Sequence, residues 1–364
     1  MLRIAFITPE YPGCGPAFGI GKYVADLVDG LRCRGHPVRV VVASDTGLFV
    51  EDAPERLRLV VHRRCGLLYR GLLFGWTIER LVERWRATIA EASNWGALTA
   101  FTRLSCPLII RLSSSIVESD PKIPLRWSRW WLERRAVERA QVVIANSQAM
   151  AMACRQLYQR DVDYVVYHGW TGPIPCLDKR PSKVEALSFL FVGRCEYRKG
   201  IDILLQAWTL FQKQFPHATL HIVGASRDRP RLPGVVWHGV IDASELERVR
   251  RVCQVQVIPS RWESFGLVAL EAWAFGLAVV ASWCGALREV VGDAGILVRT
   301  EDPVAWADAL QRACDPITRE RLTRAGTERL LEKFSGKRWI SLNEKIYQKI
   351  AASSKSSKWN TGRS

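Results

Sequence analysis

Acid is scarce in this 364-residue chain, where 36 Asp and Glu stand against 52 Lys and Arg and the formal net charge is +16. The deficit is uneven. Basic side chains exceed acidic ones by seven over residues 1–170, by two over 171–332 and by seven again over 333–364. The positive charge belongs to the first half and the tail, and it implies an anionic neighbour, either a membrane leaflet or a polyanion. Paired cysteines are also missing. No two of the ten cysteines lie closer than nineteen positions (Cys14 and Cys33), and no C-x-x-C occurs. A zinc cluster and a thioredoxin-like redox site are therefore unsupported, and the thiols read as reduced and mostly buried in a cytosolic protein. The leading apolar run, residues 2–7, ends at Pro9. It is too short for a signal peptide and reads as a first strand. The one long apolar stretch, 266–287, carries Glu271 and is split by Gly276. It reads as a buried helix followed by a parallel-sheet strand at 278–281, not as a membrane span.

What is present points to a soluble α/β protein. The chain is 48% hydrophobic and 24% charged, ordinary for a globular protein, and its length fits two domains. Residues 4–7, 38–43, 108–110 and 142–145 are short apolar runs, with helical patterns at 21–34 and 132–140 between them. Such a βαβ rhythm with near-continuous apolar strands predicts a parallel, doubly wound sheet. Residues 169–182, with Gly, three prolines and an Asp-Lys-Arg run, read as a linker. The rhythm then resumes through strands at 187–192, 220–223, 235–237 and 255–258 and helices at 202–215 and 244–252. Residues 352–364 are rich in Ser, Lys and Asn and are expected to be a disordered tail.

Chemistry concentrates at 260–271, Ser-Arg-Trp-Glu-Ser-Phe-Gly-Leu-Val-Ala-Leu-Glu. Glu263 falls in the loop between a strand that stops at Pro259 and a helix predicted over 267–275, and Glu271 lies a little over one turn into that helix. The helix start between them offers free N–H groups and the positive end of a dipole, a natural seat for phosphate. Read alone, the segment is better taken as a capping loop before a surface helix with one Glu. A second loop, Phe191-Val192-Gly193-Arg194 followed by Lys199-Gly200, places two cations where a strand gives way to a helix. They suit a departing diphosphate, Arg by a bidentate grip and Lys as a point charge; read alone, they are a solvated basic loop. Gly19 and Gly21 open the first predicted helix and allow close backbone approach to a phosphate or sugar. Nothing matches the full Walker A spacing.

Together these segments resemble the retaining, nucleotide-sugar-dependent glycosyltransferases of family 4, the E-x7-E group. The resemblance covers about residues 3–350 and is densest over 189–298. It implies a GT-B fold: an acceptor-side Rossmann-like domain over 1–170 and a donor-binding one over 183–335, facing each other across a cleft. A helix over 336–351 is expected to cross back to the first domain. By the same resemblance Arg194 and Lys199 bind the donor diphosphate, Glu263 lies near the donor sugar and Glu271 holds the ribose. Phe265, Gly266 and Leu267 offer backbone N–H groups, and Gly285 belongs to a Gly-Gly-x-x-Glu-like segment in which Cys284 replaces one glycine. The co-substrate is a nucleoside-diphosphate sugar, with no other cofactor and no metal site, and the acceptor is a hydroxyl of a glycan, lipid or small molecule.

The chain also departs from that pattern. Phe18 stands at the first glycine of the Gly-Gly-hydrophobic-Gly loop, and Ser113 stands where many relatives have His. Arg111 and Ser113, followed by Ser114 and Ser115, are the candidate sugar contacts. Asp161-Val162-Asp163 copies an Asp-x-Asp metal motif but reads as surface carboxylates, and His168 reads as a linker histidine. Residues 121–139 interleave Trp127, Trp130 and Trp131 with five arginines; they read as an internal helix whose Trp-rich front end is a candidate membrane contact. The expected reading is thus a cytoplasmic enzyme, peripheral to an anionic membrane, with nucleic acid not expected as a partner. The rival is a catalytically weakened GT-B relative that serves as a basic membrane- or polyanion-binding protein.

Overall fold

A computed structural model describes residues 1–14, 19–44, 47–51, 67–114, 126–174, 187–226, 228–299 and 301–356. The chain divides into two units, Met1–His168 with Gly336–Ser364, and Gly169–Ser335.

The first unit is built on β1 (Ile4–Thr8), β2 (Val38–Ser44), β3 (Gly47–Val50), β4 (Ile89–Ser93), β5 (Leu108–Leu112), β6 (Val142–Ala145) and β7 (Tyr164–Val165), in the order β3-β2-β1-β4-β5-β6-β7. Pairing is parallel throughout except for β3, which runs antiparallel to β2 at the edge. Every residue of β1, β4 and β5 is buried, which is why these strands carry continuous rather than alternating apolar runs. Glu91 in β4 and Arg111 in β5 break the run and form an ion pair at 2.6 Å. In α1 (Gly19–Arg32) the buried face is Tyr23, Val24, Leu27, Val28 and Leu31, which packs with Ile4, Phe6, Val40 and Val42 of the sheet. α2 (Leu67–Arg84) and α3 (Arg126–Arg139) follow. α4 (Gln148–Tyr158) starts where the Ser147 hydroxyl accepts the Met150 N–H, a cap that contributes about 1 kcal/mol.

The second unit carries β8 (Ser188–Val192), β9 (Thr219–Val223), β10 (Val235–Gly239), β11 (Val255–Ile258), β12 (Ala278–Ser282) and β13 (Ile296–Val298), ordered β10-β9-β8-β11-β12-β13 and parallel at every step. Its helices are α5 (Ile201–Gln212), α6 (Ala243–Val252), α7 (Leu267–Ala274), α8 (Leu287–Val291), α9 (Pro303–Arg312) and α10 (Pro316–Lys333). Asp242, Asp302 and Asp315 cap α6, α9 and α10 with their carboxylates, and proline opens the last two. Phe189, Trp208 and Phe211 pack edge-on and tilted at centroid distances of 5.2–5.6 Å, each fully buried Phe contributing about 1.5–3 kcal/mol. At Gly326 of α10 a Cβ would collide with the Trp273 indole. The apolar stretch 266–287 resolves into α7 and β12, and among the described residues no helix is long and apolar enough to cross a membrane.

The C-terminal helix, α11 (Gly336–Ser356), belongs to the first unit. Trp339, Ile346, Tyr347 and Ile350 enter its core, and Glu344 pairs with Arg34 at 2.6 Å and His36 at 2.9 Å. Gly30 of α1 makes room for Ile340. Two expectations are corrected here. Residues 352–356 of the expected disordered tail are helical, because Ala, Ser and Lys tolerate helix and Ala351 is still docked at 5% exposure; residues 357–364 lie outside the described residues. The thiols are not mostly buried. Of the eight described, only Cys154 and Cys253 are buried, the rest lying mainly in loops and at helix ends.

Candidate active site

In the second unit the chain leaves β8 through Gly193, at φ 154°, and reaches Arg194. A 3-10 turn, Tyr197–Lys199, then feeds Gly200 and α5. Gly200, at φ 67°, has to be glycine because a Cβ there would strike the Pro259 carbonyl. That close approach brings the β8–α5 loop against the β11–α7 loop. The Arg261 N–H donates to the Arg198 carbonyl at 2.8 Å. The Arg261 guanidinium grips Asp202 with two bonds of 2.8 Å and stacks 3.9 Å over Tyr197.

Between the stitched loops lies Glu263, only 6% exposed. Its Oε1 accepts hydrogen bonds from Lys199 Nζ and, at 2.9 Å, from Ser260 Oγ, while Arg198 Nη1 stands 3.8 Å from Oε2. Burial pushes the carboxyl up, but Lys199 and Arg198 outweigh it and hold Glu263 below the usual carboxylate range. Burial also depresses Lys199, with Arg198 and Arg194 adding like-charge repulsion that Glu263 offsets only in part. Arg194 is half-exposed and paired with Glu196 at 2.8 Å. The loop after β12 closes the back of the cluster. The Ala286 N–H donates to the Glu263 carbonyl at 2.9 Å, and the Cys284 thiol donates to the Ser260 carbonyl at 2.9 Å. At Gly285, φ 46°, a Cβ would run into Glu263 backbone.

α7 starts at Gly266, φ 93°, which makes no side-chain cap. The Gly266 Cβ position is closed by Leu287, 2.7 Å away, and Phe265 is buried edge-on against Phe334 at 5.9 Å. Glu271 follows on α7, with its Oε2 held by Arg250 of α6. Arg194, Lys199, Glu263, Phe265, Gly266, Leu267 and Gly285 thus belong to three adjoining loops at the carboxyl edge of one sheet. Glu271 sits just beyond them, on α7. Parallel sheets of this kind bind ligands at that edge. Four participants escape a sequence reading. Arg198, Ser260, Arg250 and the Arg261–Asp202 pair take their roles from partners on other loops, and only the adjacency of Arg198 to Lys199 hints at one of them.

In the first unit Gly19 and Gly21 open α1, and the Gly21 N–H donates to Glu10 Oε1 at 2.9 Å. Phe18 and Ser115 lie outside the described residues. Ser113 is buried, its N–H bound to Asn94 Oδ1 at 2.9 Å and its hydroxyl 3.4 Å from that of Ser93. Arg111 is corrected. It is fully buried, with Nε and Nη2 on Glu91 at 2.6 and 2.9 Å and Nη2 also on Asn343 at 2.5 Å, while the Tyr347 hydroxyl donates to Glu91 at 2.5 Å. A guanidinium so committed to α11 and β4 is not available as a sugar contact. His168 is likewise no exposed linker residue. It stacks on Tyr23 at 4.9 Å, and burial followed by the charge of Arg111 pushes its pKa down to about 3. Asp163 caps β6 through the Val143 N–H at 2.8 Å. Among the described residues no three His, Cys, Asp or Glu side chains converge as metal ligands.

Two parallel-sheet α/β units, with the helix that follows the second joined to the first, define a GT-B protein. A family model described as Glycosyltransferase Family 4 matches residues 18–170, and one described as Glycosyl transferases group 1 matches residues 186–315. The chain is 30% identical to the D-inositol 3-phosphate glycosyltransferase of Jonesia denitrificans over 89% of each chain. It is 25% identical to the glycogen synthase of Mycobacterium tuberculosis over 95% of this chain and 94% of that one. Sucrose-phosphate synthase from Thermosynechococcus elongatus shares the fold, with a TM-score of 0.79 and 23% identity over 97% of this chain and 100% of that one. The chain belongs to glycosyltransferase family 4 and is a GT-B glycosyltransferase.

Proposed function

We propose that this glycosyltransferase moves a sugar from a nucleoside-diphosphate donor to an acceptor hydroxyl, with retention of configuration and without a metal ion or other cofactor. The observation that carries the reading is the cluster around Glu263. Two cations and a hydroxyl converge on one carboxylate, beside the start of α7, whose N-cap residue is Gly266. A diphosphate set there gains the N–H groups of Phe265, Gly266 and Leu267 and the positive end of α7. Lys199 and Arg194 neutralise its charge as the bond to the sugar breaks, the largest electrostatic demand of the reaction. Glu263 accepts hydrogen bonds from sugar hydroxyls, and Glu271, steadied by Arg250, from the ribose. The acceptor oxygen bonds to the anomeric carbon on the face that the diphosphate leaves. Its proton passes to the departing phosphate oxygen, so the protein supplies position and charge rather than a covalent nucleophile. Gly19 and Gly21 let backbone approach a phosphate or sugar closely, and Ser113 hydrogen-bonds a hydroxyl of the donor sugar.

The acceptor is a glycan, lipid or small molecule. We place the protein in the cytoplasm, peripheral to an anionic membrane face, because its excess charge lies in residues 1–170 and 333–364. The named relatives are enzymes, which does not favour a purely binding role. The test is a panel of UDP-, GDP- and ADP-sugars with EDTA present and the product's anomeric configuration read by NMR. Diphosphate release with retention is expected. Inversion, or activity that needs an added divalent cation, overturns the mechanism; no turnover together with tight binding to vesicles or nucleic acid favours the binding protein.

A further inference from the structure

We propose that the exposed stripes of α2 and α3 form one docking face for an anionic lipid surface. The proposal deepens the peripheral reading above and rests on it for the class of partner. Along α2 the solvent side presents Leu72 and Trp76, 54% and 53% exposed, and then Arg80 and Arg84 at successive four-residue steps. α3 repeats the order, with Trp127 and Trp131 at 70% and 45% followed by Arg134 and Arg135. The opposite faces hold the helices to the fold through Phe74, Ile78 and Val82 and through Leu132, Ala136 and Val137, all buried. Leu72, Trp76 and Trp127 stay more than half exposed and add little to that core.

Phe101 joins the two stripes. A Cβ at Gly71 of α2 would lie 3.0 Å from its ring, and the Trp131 ring of α3 is centred 6.4 Å from it. Arg80 stacks 3.7 Å over Trp76, and Arg135 lies 5.4 Å from the Phe101 ring and 5.7 Å from that of Trp131. The two helices carry eight arginines against four glutamates, with no lysine or aspartate. One of those glutamates, Glu133, is buried and accepts the Tyr158 hydroxyl at 2.8 Å. Arg134 is held by Glu138 at 2.7 Å and Arg135 Nε donates to the Ala100 carbonyl at 2.9 Å; the surplus positive charge that remains over the two helices calls for an anion.

A lipid interface answers both halves of this pattern. Tryptophan and leucine settle at the boundary between headgroups and acyl chains, and neighbouring arginines bind the phosphates. Nucleic acid would use the cations and rings, but it gives an aliphatic Leu72 nothing to bury against.

The full-length protein is incubated with phosphatidylcholine vesicles with and without phosphatidylglycerol. Binding is read by sedimentation and by the tryptophan emission maximum. Binding to the anionic vesicles alone is expected, with a blue shift and with weakening at high salt. Trp76→Ser combined with Trp127→Ser should lower affinity about tenfold or more and leave the melting temperature unchanged. Wild-type protein that ignores anionic vesicles overturns this face and the peripheral reading together. Vesicle binding that survives the double substitution overturns the face alone. So does a change of oligomeric mass in the variant without lipid, or displacement of vesicles by a single-stranded oligonucleotide.

Discussion

In the first unit Glu91 and Arg111 pair in the middle of adjacent strands, at 1% and 0% side-chain exposure, with Asn343 and Tyr347 of α11 closing over them. In the second, Glu263 meets Lys199 and Arg198 on loops at the carboxyl edge of the sheet, where both cations keep 16% exposure. The first arrangement is balanced in charge, one carboxylate to one guanidinium with neutral Asn343 and Tyr347 beside them. The second is over-supplied with positive charge, with two cations on one carboxylate and the Arg194–Glu196 pair alongside. A balanced buried pair holds structure together and gains little net energy, although losing one partner is expensive. An unbalanced, reachable cluster awaits an anion. The difference separates two sites that look alike as lists of residues.

Replacing one partner of the sealed pair should have the largest effect. Arg111→Ala leaves Glu91 charged and buried and is expected to cost about 3–5 kcal/mol in urea unfolding. Exchanging both residues for methionine should recover much of that loss; a single substitution as mild as a surface one would break the contrast. Lys199→Ala should lower kcat about 10²–10³-fold, the range for losing one preorganised charge stabiliser. Stability should change little, because Arg198 and Ser260 remain on Glu263. Glu271→Ala is expected to weaken donor binding about tenfold, as the loss of hydrogen bonds to a charged group allows, which calorimetric titration of the nucleoside diphosphate will measure. The smallest effect is on the pH profile. Because burial lowers the Lys199 pKa, its charge is present at low pH and lost at a lower pH than for an ordinary lysine. The alkaline limb of kcat/KM should therefore fall early in the wild type and move upward in Lys199→Arg.

The strands that were legible in the sequence are those buried on both faces, such as 189–191 and 278–281, because nothing polar of any size interrupts them. β4 was not legible, since Glu91 breaks its apolar run and only the neighbouring β5 supplies the counter-charge. The same blindness made Arg111 look like a sugar contact: the sequence does not reveal that a glutamate twenty residues earlier faces it across the sheet. The spacing of Glu263 and Glu271 and the Arg194–Lys199 loop were readable, and the structure brings those loops side by side. Arg250, Ser260 and Arg198 could not be read, because each takes its meaning from a partner on another loop. α11 ran past its expected end because helix continues through weakly polar residues once its inner turns are anchored.

The most direct test of the comparison is nucleoside-diphosphate affinity, measured by calorimetry on folded Lys199→Ala and Arg111→Ala proteins beside the wild type. Affinity should fall sharply in Lys199→Ala and stay at the wild-type value in Arg111→Ala, even though the second protein is the less stable. Unchanged affinity in Lys199→Ala, or a loss confined to Arg111→Ala, would contradict the placement of the donor site in the second unit.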